Sequence, residues 1–263
     1  HLRDEGPRDD PTPIVLLHGT SDSLHTWDGW ATALRGQRRV IRFDLPGFGL
    51  TGPDPRADYA IDAYVRFVLA VLDTLGVQQV VLGGNSLGGQ IAWQTAYAQP
   101  QRVRQLVLVD AAGYPRPPLD VPLAFRVARS WPLNQLLEWV LPRGLVLASV
   151  RNVVGDPSAV TQEAVDRYYD MAVRAGNRRA LAQRLAEPDP DQSERIRSLR
   201  QPTLVLWGAR DRLIPLPSGE RFAQDIPGAR LVVFEGLGHV PQQEDPMRTV
   251  AELKRFLGMA PLD

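Results

Sequence analysis

Ser86 stands in a setting that would make a side-chain hydroxyl a nucleophile. It lies in the run GNSLGG, residues 84–89, between an apolar stretch at 79–82 and an amphipathic stretch at 87–99. Glycines around a serine let a strand turn sharply into a helix and raise the hydroxyl above the edge of a sheet. The N-terminus of that helix would favour negative charge developing beside the serine. The pattern predicts a nucleophile, whereas the plainer alternative is a serine that caps the helix.

A serine becomes a good nucleophile when a base accepts its proton, and His239 is placed to be that base. It follows the last predicted strand, in a loop that can reach the carboxyl ends of the strands, where open α/β folds bind ligands. His18 is followed by glycine at the end of an early strand and is predicted to bond the nearby backbone instead. The remaining histidines are one at the N-terminus and one expected to open a helix, His1 and His25.

An acid must orient the histidine, and Asp211 is predicted to be that acid. It comes just after a strand at 203–207, and the order serine, aspartate, histidine along the chain suits a catalytic triad. Asp110, also at the end of a strand, is the competing candidate. Asp211 could instead be a turn residue or the partner of a neighbouring arginine. Asp44 is predicted to bond the backbone of the turn at 46–49.

A tetrahedral intermediate needs two hydrogen-bond donors aimed at its oxyanion. The first expected donor is the backbone N–H of Leu87, next to the serine. The second is expected from the loop after the first strand, at the backbone N–H of Thr20, where Gly19 lets the chain turn close to a substrate. A simple turn is the alternative for this loop.

Short apolar strands alternate with longer amphipathic helices along the chain, which predicts a parallel sheet covered by helices on both sides. The strands are predicted at 13–17, 39–44, 79–82, 104–110, 203–207 and 230–234, and the helices at 60–75, 87–99 and 246–257. Residues 112–200 break the alternation. We expect a helical lid there, inserted into a core made of residues 1–111 and 201–263. Several ordinary crossover helices are the alternative, although one crossover needs only about a dozen residues.

Composition and charge exclude several kinds of partner and site. Thirty basic residues balance thirty acidic ones, so no nucleic-acid partner is expected. The absence of cysteine rules out disulfides and cysteine-ligated metals. No apolar run is long enough for a transmembrane segment. The chain begins at His1 rather than at methionine, so its compartment is left open, and so is its oligomeric state.

Together these motifs resemble the α/β-hydrolase superfamily over nearly the whole chain. They are the HGT loop at 18–20, the DLPGFG turn at 44–49, the GNSLGG run at 84–89, the GARD segment at 208–211 and the GHVP segment at 238–241. The resemblance implies a mostly parallel sheet of about eight strands, with a helical cap at the position of the insertion. Residues 1–5 can supply only part of the first hairpin of that sheet.

Within the superfamily the sequence is similar to capped carboxylesterases and to carbon–carbon bond hydrolases. Epoxide hydrolases and haloalkane dehalogenases share the layout, and Tyr168 and Tyr169 resemble the paired lid tyrosines of epoxide hydrolases. Both of those classes use aspartate as the nucleophile, where this chain has Ser86. Carbon–carbon hydrolases often carry tryptophan after the catalytic histidine, where this chain has Val240, which argues mildly against them.

The expected activity is cleavage of small to medium apolar carboxylic esters through an acyl-enzyme, with no metal or organic cofactor. Leu213, Ile214 and Val240 are expected beside the triad as substrate-binding residues. Aromatic residues of the lid could add an apolar wall, although ordinary lid core is the favoured alternative for each of them: Phe125, Trp131, Trp139, Tyr168 and Tyr169. The alternatives are a carbon–carbon bond hydrolase of vinylogous diketones and a weakly catalytic ligand receptor. A cationic lid pocket would favour the former, and the candidate cations are Arg126, Arg129, Arg174, Arg178 and Arg179.

Overall fold

A mostly parallel sheet forms the centre of the fold. The computed structural model of the chain describes residues 1–115, 123–130 and 139–260. Among these residues, seven strands follow the spatial order β1-β3-β2-β4-β5-β6-β7, and β1 runs antiparallel to its neighbour. The strands are β1 (Leu2–Glu5), β2 (Ile14–Leu17), β3 (Val40–Phe43), β4 (Val80–Asn85), β5 (Val103–Val109), β6 (Thr203–Gly208) and β7 (Arg230–Phe234).

Helices cover both faces of this sheet. In the described residues they are α1 (Asp28–Leu34), α2 (Ile61–Thr74), α3 (Leu87–Ala98), α4 (Leu123–Ala128), α5 (Arg143–Val153), α6 (Gln162–Val173), α7 (Asn177–Ala186), α8 (Pro217–Asp225), α9 (Pro241–Glu244) and α10 (Pro246–Phe256). Short 3-10 helices lie at Leu24–Trp27, Pro157–Ala159 and Ser193–Ser198.

The two-sided covering follows from strands that are apolar on both faces. Val15 and Leu17 of β2 pack into one layer, with α2 and α3, whereas Ile14 and Leu16 pack into the other, with α1 and α10. Successive side chains of a strand point to opposite faces, so a continuous apolar strand needs a cover on each side. The prediction of a parallel sheet covered on both faces is confirmed.

The structure departs from the expected sheet at two places. Strand β4 extends to Asn85, three residues beyond the predicted end, because Gly83 and Gly84 pair with Leu16 and Leu17 of β2. At one edge of the sheet, β1 pairs antiparallel with β3 and is the one strand that residues 1–5 supply toward the expected first hairpin. The described sheet therefore has seven strands rather than about eight.

Helices α4 to α7 lie between β5 and β6 in the chain. The described part of residues 112–200 contains helices and turns but no strand. Val146 and Val150 of α5 pack on Val165 of α6, and this small apolar cluster is separate from the two layers beside the sheet. A separate apolar cluster is what a lid would need, but the division of the chain into an α/β core and a lid stays a prediction. None of the helices in the described residues is long and apolar enough to cross a membrane.

Candidate active site

Ser86 occupies the turn between β4 and α3 in a strained backbone conformation, with φ 55° and ψ −117°. A positive φ is unfavourable for a residue with a Cβ, so the surroundings must hold it in place. The N–H of Ser86 donates to the carbonyl oxygen of Val109 in β5 at 3.1 Å. Its own carbonyl oxygen accepts from the N–H of Gln90 at 3.0 Å and from that of Ala112 at 3.1 Å. The neighbouring strand and α3 therefore fix the turn.

Close packing explains the glycines around Ser86. A Cβ on Gly84 would overlap the backbone of Gly88, and a Cβ on Gly88 would overlap the carbonyl oxygen of Leu17. In the loop after β2, a Cβ on Gly19 would lie 3.2 Å from the Cβ of Ser86. Small residues at these positions let α3 and this loop approach the serine closely.

His239 and Asp211 form a buried pair at the same edge of the sheet. Nδ1 of His239 lies 2.7 Å from Oδ2 of Asp211. The other carboxylate oxygen of Asp211 accepts the N–H groups of Leu213 and Ile214, at 2.8 and 3.0 Å. An ionised carboxylate only accepts hydrogen bonds, so Nδ1 carries the proton of the neutral imidazole. Nε2 is then left unprotonated, as a general base requires.

Backbone contacts hold the histidine loop against the serine turn. The side-chain amide of Asn85, the residue before Ser86, donates to the carbonyl oxygens of His239 at 2.9 Å and Val109 at 3.1 Å. The N–H of His239 donates to the carbonyl oxygen of Val153, at the end of α5, at 2.7 Å. The histidine is thus tied both to the sheet and to the helical insertion.

The other predicted histidine and aspartates have different surroundings. His18 lies with Nδ1 2.7 Å from the carbonyl oxygen of Gly19 and accepts the N–H of Leu45 through Nε2 at 2.9 Å, in line with a backbone-bonding role. The prediction that Asp44 bonds the turn at 46–49 is wrong. Its carboxylate accepts the N–H groups of Leu24 and Leu50, each at 2.7 Å. The carboxylate packs directly against Gly49, where an added Cβ would overlap it, and the N–H that reaches it belongs to the residue just after the turn.

Asp110, the competing acid, does not hold the imidazole. One of its carboxyl oxygens accepts the N–H of Gly208 at 3.0 Å. The hydrogen bond at His239 Nδ1 goes to Asp211, which is the arrangement expected for Asp211 as triad acid. The catalytic roles themselves stay predictions.

A cavity of about 570 Å³ lies between this edge of the sheet and helices α4 to α7. Its wall contains Ser86 and His239 together with both expected oxyanion residues, Thr20 and Leu87. It also contains the three expected substrate-binding residues, which are Leu213, Ile214 and Val240. The chain folding therefore brings every one of these predicted residues to one cavity, with Asp211 behind His239.

The aromatic residues named for the predicted lid divide between the cavity wall and other places. Phe125 and Tyr168 line the cavity. Neither Trp139 nor Tyr169 lines the cavity. Trp139 is 84% exposed, whereas Tyr169 packs against the small apolar cluster of α5 and α6 and beneath Arg143, with 4.5 Å between the guanidinium carbon and the ring centroid. Trp131 lies outside the described residues.

One part of the cavity wall is polar and charged. Gln90 donates from its side-chain amide to both carboxylate oxygens of Asp189, at 2.9 and 3.1 Å, and Arg184 lies 3.7 Å from the same carboxylate. Of the five arginines proposed for a cationic pocket, Arg129 and Arg178 line the cavity. Arg184 was missed, although its spacing from the other buried residues of α7 was a signal that it faces inward.

A protein-family model matches the part of the chain that contains all three residues of the candidate triad. The model describes the α/β hydrolase fold and matches residues 12–246, which include Ser86, Asp211 and His239. The chain belongs to the α/β-hydrolase family. In this α/β hydrolase, the fold and the resemblance expected from the motifs are both confirmed.

The proteins similar to this α/β hydrolase are named for more than one kind of reaction. The 2-hydroxymuconate semialdehyde hydrolase of Pseudomonas sp. strain CF600 is 31% identical, over 94% of this chain and 87% of that protein. A meta-cleavage product hydrolase from Pseudomonas fluorescens IP01 has a TM-score of 0.83 at 26% identity and covers 98% of this chain and 93% of its own. A thermophilic esterase from Thermogutta terrifontis has a TM-score of 0.82 at 26% identity, with coverages of 98% and 92%.

A polar contact between the insertion and the core was not foreseen from the sequence of this α/β hydrolase. The hydroxyl of Tyr168 in α6 donates to Oδ2 of Asp22 at 3.1 Å and accepts from the side-chain amide of Gln243 at 2.7 Å. That amide also lies 2.9 Å from Oδ2 of Asp22. Burial raises the pKa of Asp22 and that of Tyr168. Tyr168 and Tyr169, which resemble the paired tyrosines of epoxide hydrolases, therefore have different contacts. The hydroxyl of Tyr168 joins the insertion to the core, whereas the ring of Tyr169 stacks on Arg143.

Tyr168→Phe should loosen the insertion. The variant removes one buried hydroxyl from the group formed with Asp22 and Gln243, which we expect to lower the free energy of unfolding by about 1–2 kcal/mol. Hydrogen exchange in α6 should become faster. Tyr169→Phe is the matched control, because its ring can still stack on Arg143. Equal effects of the two substitutions on unfolding would contradict a specific role for the Tyr168 hydroxyl.

Proposed function

We propose that this α/β hydrolase cleaves a bond next to a carbonyl carbon through a covalent intermediate on Ser86. The observation that carries the proposal is the buried His239–Asp211 pair, joined at 2.7 Å, with His239 and Ser86 in the wall of one cavity. This pairing leaves Nε2 of His239 free to accept the serine proton. The helical insertion, residues 112–200, acts as the lid that completes the cavity.

The reaction then has two halves. In the first, Ser86 Oγ attacks the carbonyl carbon while His239 takes its proton, and the N–H groups of Leu87 and Thr20 hold the oxyanion. The tetrahedral intermediate collapses, and the leaving fragment departs with the proton from His239. In the second half, water attacks the acyl-enzyme with His239 again as base, which frees a carboxylic acid and restores Ser86.

Carbon–carbon bond cleavage is the first candidate for the bond broken. The similarity to 2-hydroxymuconate semialdehyde hydrolase and to a meta-cleavage product hydrolase favours it over the carboxylic ester expected from the sequence. A carbon leaving group must depart as a carbanion stabilised by conjugation, so it benefits from cations nearby. Arg129, Arg178 and Arg184 are the arginines of the cavity wall, and Arg129 and Arg178 are the candidates to supply such charge, because Arg184 lies 3.7 Å from the carboxylate of Asp189 in the same wall.

Ester hydrolysis is the second candidate, and the apolar part of the cavity favours it. Much of the wall consists of aliphatic side chains, among them Val146, Leu181 and Ile214. Val240 is buried beside His239, where carbon–carbon hydrolases often carry tryptophan. The esterase from Thermogutta terrifontis is as similar in structure as the meta-cleavage product hydrolase.

The test compares a 2-hydroxy-6-oxo-2,4-dienoate with p-nitrophenyl esters from acetate to decanoate. We expect kcat/KM for the dienoate to exceed that for the best ester by at least about tenfold. Hydrolysis of the esters alone would overturn the choice of bond and leave the serine mechanism in place. Turnover of neither class, with tight binding of a ligand, would overturn the mechanism and indicate a receptor.

The substitution Arg129→Gln tests whether this arginine binds the charge of the dienoate. Both arginines are exposed, but Arg129 lines the cavity, whereas Arg126, one turn earlier, lies outside its wall. Arg129→Gln should raise KM for the anionic dienoate and leave KM for p-nitrophenyl butyrate unchanged. Arg126→Gln is the matched control and should change neither value. An equal rise in KM for both substrates would show that Arg129 does not act on the substrate's charge.

A further inference from the structure

Asp110 is held in an unusual position beside the triad. It directly follows β5, at the sheet edge that carries Ser86 and Asp211, and it is completely buried. Its φ is 43°, in the left-handed region that a residue with a Cβ rarely adopts. Its N–H donates to the carbonyl oxygen of Leu206 in β6 at 3.0 Å. Ser86 and Asp110 are thus strained residues at the ends of adjacent strands, and such strain is concentrated at functional sites.

The Asp110 side chain lies against the acid of the triad. One carboxyl oxygen of Asp110, one of Asp211 and a ring nitrogen of His239 lie within 4.8 Å of one another. Oδ1 of Asp110 accepts the N–H of Gly208, but among the described residues Oδ2 is buried and has no donor. A buried carboxylate oxygen without a donor is costly, whereas a protonated oxygen could itself donate.

The distribution of donors decides which of the two acids carries a proton. Asp211 receives the imidazole N–H and two backbone N–H groups, which stabilise its ionised form. Asp110 receives one backbone N–H. Burial, and then the charge of Asp211, raise the pKa of Asp110 well above its ordinary value, and Glu244 acts in the same direction. Two ionised carboxylates within 4.8 Å of each other would repel strongly in this buried place.

We propose that Asp110 is a positioning residue whose neutral carboxyl group donates a hydrogen bond to Asp211 and holds that carboxylate against His239. The pair then carries one negative charge, which suits the imidazolium formed during catalysis. The proton stays on Asp110 throughout, so no proton passes from His239 to the pair. This inference rests on the proposed function, because it assumes that Asp211 orients the base.

Two substitutions at Asp110 separate its hydrogen bond from its charge. In Asp110→Asn the amide can donate to Asp211 and accept from Gly208, so it imitates the neutral acid, and asparagine tolerates a positive φ. Asp110→Gly removes the group without adding backbone strain, and the pKa comparison in Asp110→Asn still tests the inference if the glycine variant does not fold. The readouts are the pKa of His239 from NMR titration and the rate at which a fluorophosphonate labels Ser86.

We expect Asp110→Asn to leave the pKa of His239 unchanged and the labelling rate close to that of the parent. Asp110→Gly should slow labelling by about 10- to 100-fold, because Asp211 loses the group that orients it. A fall of about one unit in the pKa of His239 in Asp110→Asn would show that Asp110 is ionised and would overturn the inference. Normal labelling of Asp110→Gly would overturn it too. If Ser86 of the parent protein is not labelled, the proposed function fails, while the pKa comparison still tests the charge of Asp110.

Discussion

Ser86→Ala should reduce kcat by about 10⁴-fold or more on whichever substrate the protein turns over. In the proposed mechanism this hydroxyl forms the acyl-enzyme, and the other serine and threonine hydroxyls of the described cavity wall, on Thr20, Ser21 and Ser149, lie outside that turn. Thermal stability should hardly change, because the contacts that fix the turn are made by the backbone of Ser86. The measurement is single-turnover and steady-state hydrolysis, combined with mass spectrometry of the fluorophosphonate-treated protein.

Ser149→Ala is the matched control for that experiment. Ser149 lines the same cavity, but its hydroxyl donates to the carbonyl oxygen of Leu145 within α5, at 2.9 Å. The Ser149→Ala variant should therefore keep the activity of the parent protein and still carry one phosphonate label, on Ser86. A Ser86→Ala protein that retains more than a small fraction of kcat, or that is still labelled, would show that the nucleophile lies elsewhere.

His239→Ala should give a loss of similar size. Without the imidazole, Ser86 has no base in the first half of the reaction and water has none in the second. We expect kcat to fall by about 10⁴-fold or more. Labelling of Ser86 should slow as well, because it needs the same proton transfer. The pH dependence of kcat/KM in the parent should show an acidic limb that belongs to His239 and is absent from the residual rate of the variant.

His25→Gln provides the control for a histidine substitution. His25 lies in the 3-10 helix Leu24–Trp27 with Nδ1 3.1 Å from the Ser23 hydroxyl, and burial lowers its pKa. It is not in the wall of the cavity that holds Ser86. The acidic limb should persist in His25→Gln. Loss of that limb in the control, or its survival in His239→Ala, would exclude His239 as the base.

Local sequence was enough to predict the elements that present the site. The GNSLGG run forms a strand end, a strained serine and a helix start because its glycines permit close backbone packing within a few residues of each other. Asp211 and His239 each follow an apolar strand, β6 and β7. Since the carboxyl ends of parallel strands meet at one edge, the order of these segments along the chain predicts that their side chains converge.

Long-range contacts were beyond such reasoning. The side-chain amide of Asn85 donates to the carbonyl oxygen of His239, and one carboxyl oxygen of Asp110 lies within 4.8 Å of one of Asp211. Strand signals show that β5 and β6 exist, but their register and the positive φ of Asp110 depend on the packed sheet. The aromatic pattern of the insertion likewise could not show that Phe125 faces the cavity while Trp139 faces solvent.

The sequence by itself therefore determined the fold, the nucleophile candidate and the order of the candidate triad, because each depends on short segments whose chemistry is local. The tertiary structure decided which acid meets the imidazole, which insertion residues line the cavity and where its arginines lie. Those outcomes depend on the pairing of β4, β5 and β6 and on the packing of α4 to α7 over their ends. Segments far apart in the chain come together only when the sheet and the helices have packed.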